Sequence, residues 1–154
     1  MLLRRAFLAA STAWAAAIPL AAFAGSRPDP ATVLPGAYGF ALAVYAIGHV
    51  VCHQLPVRSF HLWSVSLPVC ARCTGIYLGA AAAAVSIAVA RRRRLADVRS
   101  TKADPRAVLL LSMIPTAVTL VFEWTTGTMP ANGIRALAGL PLGAAVAWAI
   151  GMVN

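Results

Sequence analysis

Apolar residues in this chain come in long unbroken blocks, not at the three-to-four spacing of helices that face water on one side. Five blocks stand out: Ala6 to Ala24, about Leu34 or Ala37 to Val51 or Cys52, Val69 or Cys70 to about Ala90, roughly Ala107 to Trp124, and Ile134 to Val153. Most of them approach or reach the roughly 20 residues that cross a hydrocarbon core. Between them lie short polar breaks, among them SRPDPATVLPG, RRRRLADVRSTKADPR and TTGTMPANG, rich in Pro, Gly or Arg. The pattern predicts an all-α integral membrane protein, a bundle of about five transmembrane helices. Four of them fall in a membrane domain over residues 34–153.

The first block is ambiguous. Residues 1–26 open on Arg4 and Arg5, continue apolar, and carry Ala22-Phe23-Ala24 before Gly25, the form of a signal peptide with a small-residue cleavage site. The same run is long enough to span a bilayer, and a retained first helix is the favoured expectation. Residues 54–68 contain Pro56, Pro68, Arg58, His61, Phe60 and Trp63, a mixture suited to an interfacial loop or a short surface helix.

Composition agrees with a membrane location. Hydrophobic residues make up 60% of the chain and charged ones 11%, too few to coat five helices with water-facing side chains. The net charge of +9 comes from 13 basic residues against four acids, and seven of the 13 lie between Arg91 and Arg106. That cluster has no interleaved aromatics and reads as a topology signal beside lipid headgroups, not as a nucleic-acid interface. The expected location is the cell membrane, and the expected partner is the lipid bilayer.

Threading the blocks back and forth brings the 52–69 and 125–133 loops to one membrane face. Cys52, His53, Arg58, Cys70, Arg72, Cys73, Glu123, Asn132 and Arg135 converge there. The basic 91–106 loop should stay in the cytoplasm, which makes the cysteine face extracytoplasmic, with the amino terminus outside and the carboxyl terminus inside. Arg4 and Arg5 argue against that placement of the amino terminus.

Candidate chemistry is concentrated in residues 49–79, which hold all three cysteines and all three histidines. Cys70 and Cys73 form a C-x-x-C pair at a helix start, where the helix dipole and nearby Arg72 favour thiolate. With Cys52 and His53 or His49 they make a Cys3His set, suited to a transition metal: zinc first, copper or iron otherwise. His49, Cys52 and His53 are spaced to share one helix face. The same C-x-x-C pair also suits thiol-disulfide or quinone-linked redox chemistry, although an odd number of cysteines fits a two-pair relay poorly. A third alternative is a structural or assembly factor in which the cysteines only pack.

His49, Arg58, Arg72, Glu123, Asn132 and Arg135 are the supporting polar shell. Glu123 is the one acid in an expected span, with Arg72 or Arg135 as its partner. Asn132 reads as a cap for the fifth helix, and His61 beside Trp63 as an interfacial residue. Gly75-x-x-x-Gly79 and Gly139-x-x-x-Gly143 are close-approach faces, for packing inside the bundle or for self-association.

C-H-Q-x-P-x-R-S-F (Cys52 to Phe60) and P-V-C-A-R-C-T-G-I-Y-x-G (Pro68 to Gly79) resemble a family of small prokaryotic membrane proteins known as domain of unknown function 2085. N-x-x-R-x-x-x-G, at Asn132, Arg135 and Gly139, is similar to that family's second block. The resemblance covers roughly residues 40 to 145. It implies an integral membrane bundle with these polar residues in one setting, and it supplies no reaction. An acid is expected in the family, though not necessarily at the position of Glu123.

Overall fold

The computed structural model describes residues 2–27, 35–92 and 103–152. The basic stretch from Arg93 to Lys102 therefore lies outside the described residues. Among the described residues five α-helices carry the fold: α1 (Leu2–Gly25), α2 (Pro35–Val51), α3 (Ala71–Arg92), α4 (Pro105–Thr126) and α5 (Asn132–Met152). Four are long and apolar enough to cross a membrane, namely α1, α3, α4 and α5. The all-α membrane architecture expected from the sequence is therefore the one observed.

Local chemistry sets the helix ends. Asp104 starts α4 by accepting the Arg106 N–H at 3.0 Å, with Pro105 in the first turn where no backbone donor is needed. Gly127 ends it at φ +66°, its N–H returning to the Glu123 carbonyl. α2 stops at Val51 and is followed by Gln54 in the left-handed region at φ +47°. The expected interfacial segment is a 3-10 turn at Pro56–Arg58 and a hairpin of β1 (His61–Leu62) and β2 (Val65–Ser66), not a surface helix. Its turn residues Trp63 and Ser64 both have positive φ, the geometry that matches the twist of a two-residue hairpin. Edge-on contact of Trp63 with Phe23 of α1, 5.1 Å between ring centres, anchors that turn.

α3 and α5 form the central pair, and they run parallel. A Cβ at Gly75 would strike the Ala136 carbonyl, and one at Gly79 the Leu140 carbonyl. Reciprocally, Gly139 receives the Arg72 carbonyl and Gly143 the Ile76 carbonyl. Both glycine stripes are thus used within one chain, against each other. Of the two uses expected for Gly75/Gly79 and Gly139/Gly143, this is the packing inside the bundle. α4 lies antiparallel to α5, tied by the Thr116 hydroxyl to the Ala138 carbonyl at 2.8 Å.

α1 packs antiparallel to α3, and this corrects the expected threading. Arg5 lines one groove with Arg91 and Arg92, while the far end of α1 meets the cysteine segment through a core of Ile18, Ala22, Cys52, Leu67 and Val69. The amino terminus therefore sits at the end opposite the cysteines, not beside them. α2 provides the physical reason. It has 17 residues, and both its middle (Ala41, Val44, Tyr45) and the Cys52 that follows pack with residues 14–24 of α1. It stays at the cysteine end and does not return the chain across.

Candidate functional site

The site is built where the end of α2 meets the start of α3. Gln54 makes the junction: its side-chain amide donates to the Tyr45 carbonyl at 2.8 Å and to the Pro68 carbonyl at 2.7 Å. Gly48 permits this, since a Cβ there would collide with the Pro68 carbonyl and lie 2.6 Å from the Gln54 amide nitrogen. The Tyr45 hydroxyl donates to the Ser66 carbonyl at 2.6 Å and fixes the hairpin to α2. With the two segments held, the Cys70 N–H donates to the Cys52 sulfur at 3.2 Å.

The three sulfurs of Cys52, Cys70 and Cys73 all lie within 4.8 Å of one another, and all three cysteines are free thiols. Cys52 is buried and the other two are half-buried. Hydrogen bonding from the Cys73 thiol pushes the Cys70 thiol down to about 5, against burial that acts in the opposite sense. Backbone N–H groups of Cys73 and Arg72 assist. The guanidinium of Arg72, expected to act on these thiols, instead turns to Thr119 and Glu123.

The histidines do not join the sulfurs. His49 is exposed on α2, and His53, beyond the end of that helix, is exposed too. His53 nevertheless borders a cleft of about 320 Å³ that is also lined by Cys52, Cys70, Cys73, Arg58, Arg72 and Arg135. His61 is exposed on the hairpin, as an interfacial residue should be.

Three of the charged residues, Glu123 among them, come together. Glu123 Oε1 lies 3.2 Å from Arg72 Nη2 and 2.9 Å from Arg135 Nε, so one carboxylate bridges two guanidiniums from two other helices. Arg135 is only 1% exposed. Its Nε–H points off the carboxylate axis and makes no hydrogen bond, and the Arg72 Nε is likewise buried without a partner. The guanidinium of Arg58, a half-buried residue at the cleft rim, has no hydrogen bond or ion pair among the described residues. Asn132 is the first residue of α5 and not a cap outside it; its amide donates to the Ser59 carbonyl at 3.1 Å. That bond ties the 125–133 loop region to the cysteine segment.

Sequence reasoning missed Gln54, Ser59 and Thr119. A glutamine three residues past a helix end, preceded by a glycine one turn inside that helix, was the available signal for the first. Ser59, fully buried and bonded to the Leu55 carbonyl, carries no comparable mark.

Comparison with known proteins places this site inside a recognised family segment. An uncharacterised protein of Methanothermobacter thermautotrophicus is 37% identical over 98 residues, 63% of this chain and 81% of its own length. An uncharacterised protein of Methanocaldococcus jannaschii is 32% identical over 77 residues, 50% of this chain. The match covers 46% of that second relative, so the chain spans about half its length. No solved structure matches the chain. Residues 52–149, from the first cysteine of the cluster through most of α5, match the family described as predicted membrane protein (DUF2085), and the chain belongs to that family.

Proposed function

We propose that this membrane protein binds a transition-metal ion, zinc in first place, between Cys52, Cys70 and Cys73. The observation that carries the reading is the meeting of three sulfurs from two chain segments within 4.8 Å. Zinc–sulfur bonds of about 2.3 Å in a tetrahedron space sulfurs about 3.8 Å apart, so a small closure of the cluster suffices. Three thiolates leave one coordination position, on the side of the cleft that His53 also lines. His53, which lines the same cleft, is one candidate to fill it, and an outside ligand is the other. Soft sulfur donors also suit Cu(I) and iron.

Elemental analysis of the purified protein in detergent, with a thiol count before and after reduction, tests this. The expected result is about one equivalent of metal, lost when Cys52, Cys70 or Cys73 becomes Ser. A second reading, thiol-disulfide or quinone-linked redox chemistry, is favoured by the thiol-to-thiol hydrogen bond of Cys70 and Cys73. It predicts no metal and a reversible Cys70–Cys73 disulfide with Cys52 dispensable. No metal and three inert thiols would leave a structural or assembly role.

We also infer that the cysteine end faces the extracytoplasmic side of the cell membrane. By sequence, nine of the 13 basic residues fall at the other end, two at positions 4–5 and seven at 91–106. With α1 antiparallel to α3, the two groups of charge no longer oppose each other. A membrane-impermeant maleimide on intact cells should label His53→Cys but not Arg5→Cys, each in a cysteine-free background. Labelling in the reverse order refutes the orientation.

A further inference from the structure

Beside the sulfurs lies a second set of groups that the metal reading does not use. Arg58, Arg72 and Arg135 all border the 320 Å³ cleft, and Glu123 is the one acid paired with any of them among the described residues. Three guanidiniums against one carboxylate leave two positive charges in excess at the end of a membrane-embedded bundle. Burying such charge without compensation is costly, and a carboxylate shared by two arginines cannot satisfy ten N–H donors. Arg135 is 99% buried, and its Nε faces Glu123 at 2.9 Å without a hydrogen bond; the Arg72 Nε is buried with no hydrogen bond, and the Arg58 guanidinium has no partner among the described residues. The donors left over border one concave space.

We propose that this cleft is a binding site for a phosphate group, held by Arg58 at the rim and by Arg72 and Arg135 at the floor. Guanidinium forks match the oxygens of phosphate two at a time, and a group carrying one to two negative charges cancels the excess. The cleft volume admits a phosphate with a small substituent. Val51 and Leu55 form an apolar wall beside it, so a phosphate attached to a carbon chain fits as well as a free one. The chemistry is common to a soluble phosphate and a phospholipid headgroup. The two readings share the cleft but not their ligands, since the donors to phosphate are nitrogens and those to the metal are sulfurs.

The test uses the full chain in a neutral maltoside detergent, stripped of lipid and titrated with inorganic phosphate by calorimetry. A second arm uses nanodiscs of phosphatidylcholine with added phosphatidic acid, followed by native mass spectrometry of retained lipid. Saturable one-to-one binding in the first arm identifies a soluble phosphate source. Binding in the second arm alone identifies a headgroup. In either case R58Q, which alters a half-exposed residue and leaves the fold intact, should weaken binding at least about tenfold, the loss of one charge-assisted contact. Binding by neither source, or equal binding by R58Q and the wild type, overturns the proposal. The triple variant C52S/C70S/C73S should still bind phosphate while holding no metal, so the two readings fail separately.

Discussion

Replacing Glu123 with Gln tests the charged shell most directly. The substitution keeps the shape of the side chain and removes the charge that bridges Arg72 and Arg135. Its partners differ in how far they can compensate. The Arg72 side chain is 12% exposed and retains the Thr119 hydroxyl at 3.2 Å, whereas the Arg135 side chain is 2% exposed and makes no hydrogen bond among the described residues. Breaking a buried ion pair by removing one partner costs about 3–5 kcal/mol, because the remaining charge stays desolvated. With about 2–4 °C per kcal/mol for a chain of this size, the melting temperature should fall on the order of 10 °C. Thermal unfolding in detergent, followed by circular dichroism, reads this. The double variant Glu123→Gln/Arg135→Met removes the stranded cation and should recover most of the loss. A melting temperature within a degree of wild type for Glu123→Gln alone refutes the reasoning, as does a double variant worse than the single. Because the same change raises the positive excess of the cleft, phosphate affinity should rise as stability falls, a divergence that general unfolding cannot produce.

The other predictions concern the thiols and the packing. In metal-free protein, alkylation of Cys70 by iodoacetamide should persist down to about pH 5, where an ordinary thiol with a pKa of about 8.5 has stopped reacting. The linked stability runs the same way: the thiolate's contribution is complete above the unfolded thiol's pKa and is lost as pH falls through about 5, which the difference between wild type and Cys70→Ala over pH should report. Gly143→Ile forces a side chain into the Ile76 carbonyl and should destabilise by at least about 1–3 kcal/mol, while Gly133→Ala, with open space around it, should be neutral. Intact-mass measurement of protein from the membrane should find α1 retained, because cleavage after Ala24 would remove Ile18, Ala21 and Ala22 from the core.

The spans and the face on which the motifs gather were readable because hydropathy and loop alternation depend on few residues at a time. That Glu123 faces Arg72 or Arg135 was readable because one acid lies in an expected span; that it bridges both was not. The position of the amino terminus was not readable. It turns on whether a 17-residue apolar helix crosses or folds back, and α2 has the composition of a span without making the traverse. The fate of His53 was equally hidden: a spacing of four places it over His49 only if the helix continues, and the helix ends at Val51. Gln54 beyond that end takes the role of connector, and the histidine is left facing the cleft.

The glycine contacts between α3 and α5 bear on how this molecule can move. Each helix seats two carbonyls of its neighbour in its own notches, so the pair is keyed like two racks whose teeth mesh. A slip of one residue would drive side chains where only hydrogen fits, and the two helices must therefore travel as one strut. α1 and α4 lack such keys on this pair. Any motion that links the sulfurs to the arginine-rich end is thus transmitted as a displacement of the whole strut, with the outer helices as its bearings.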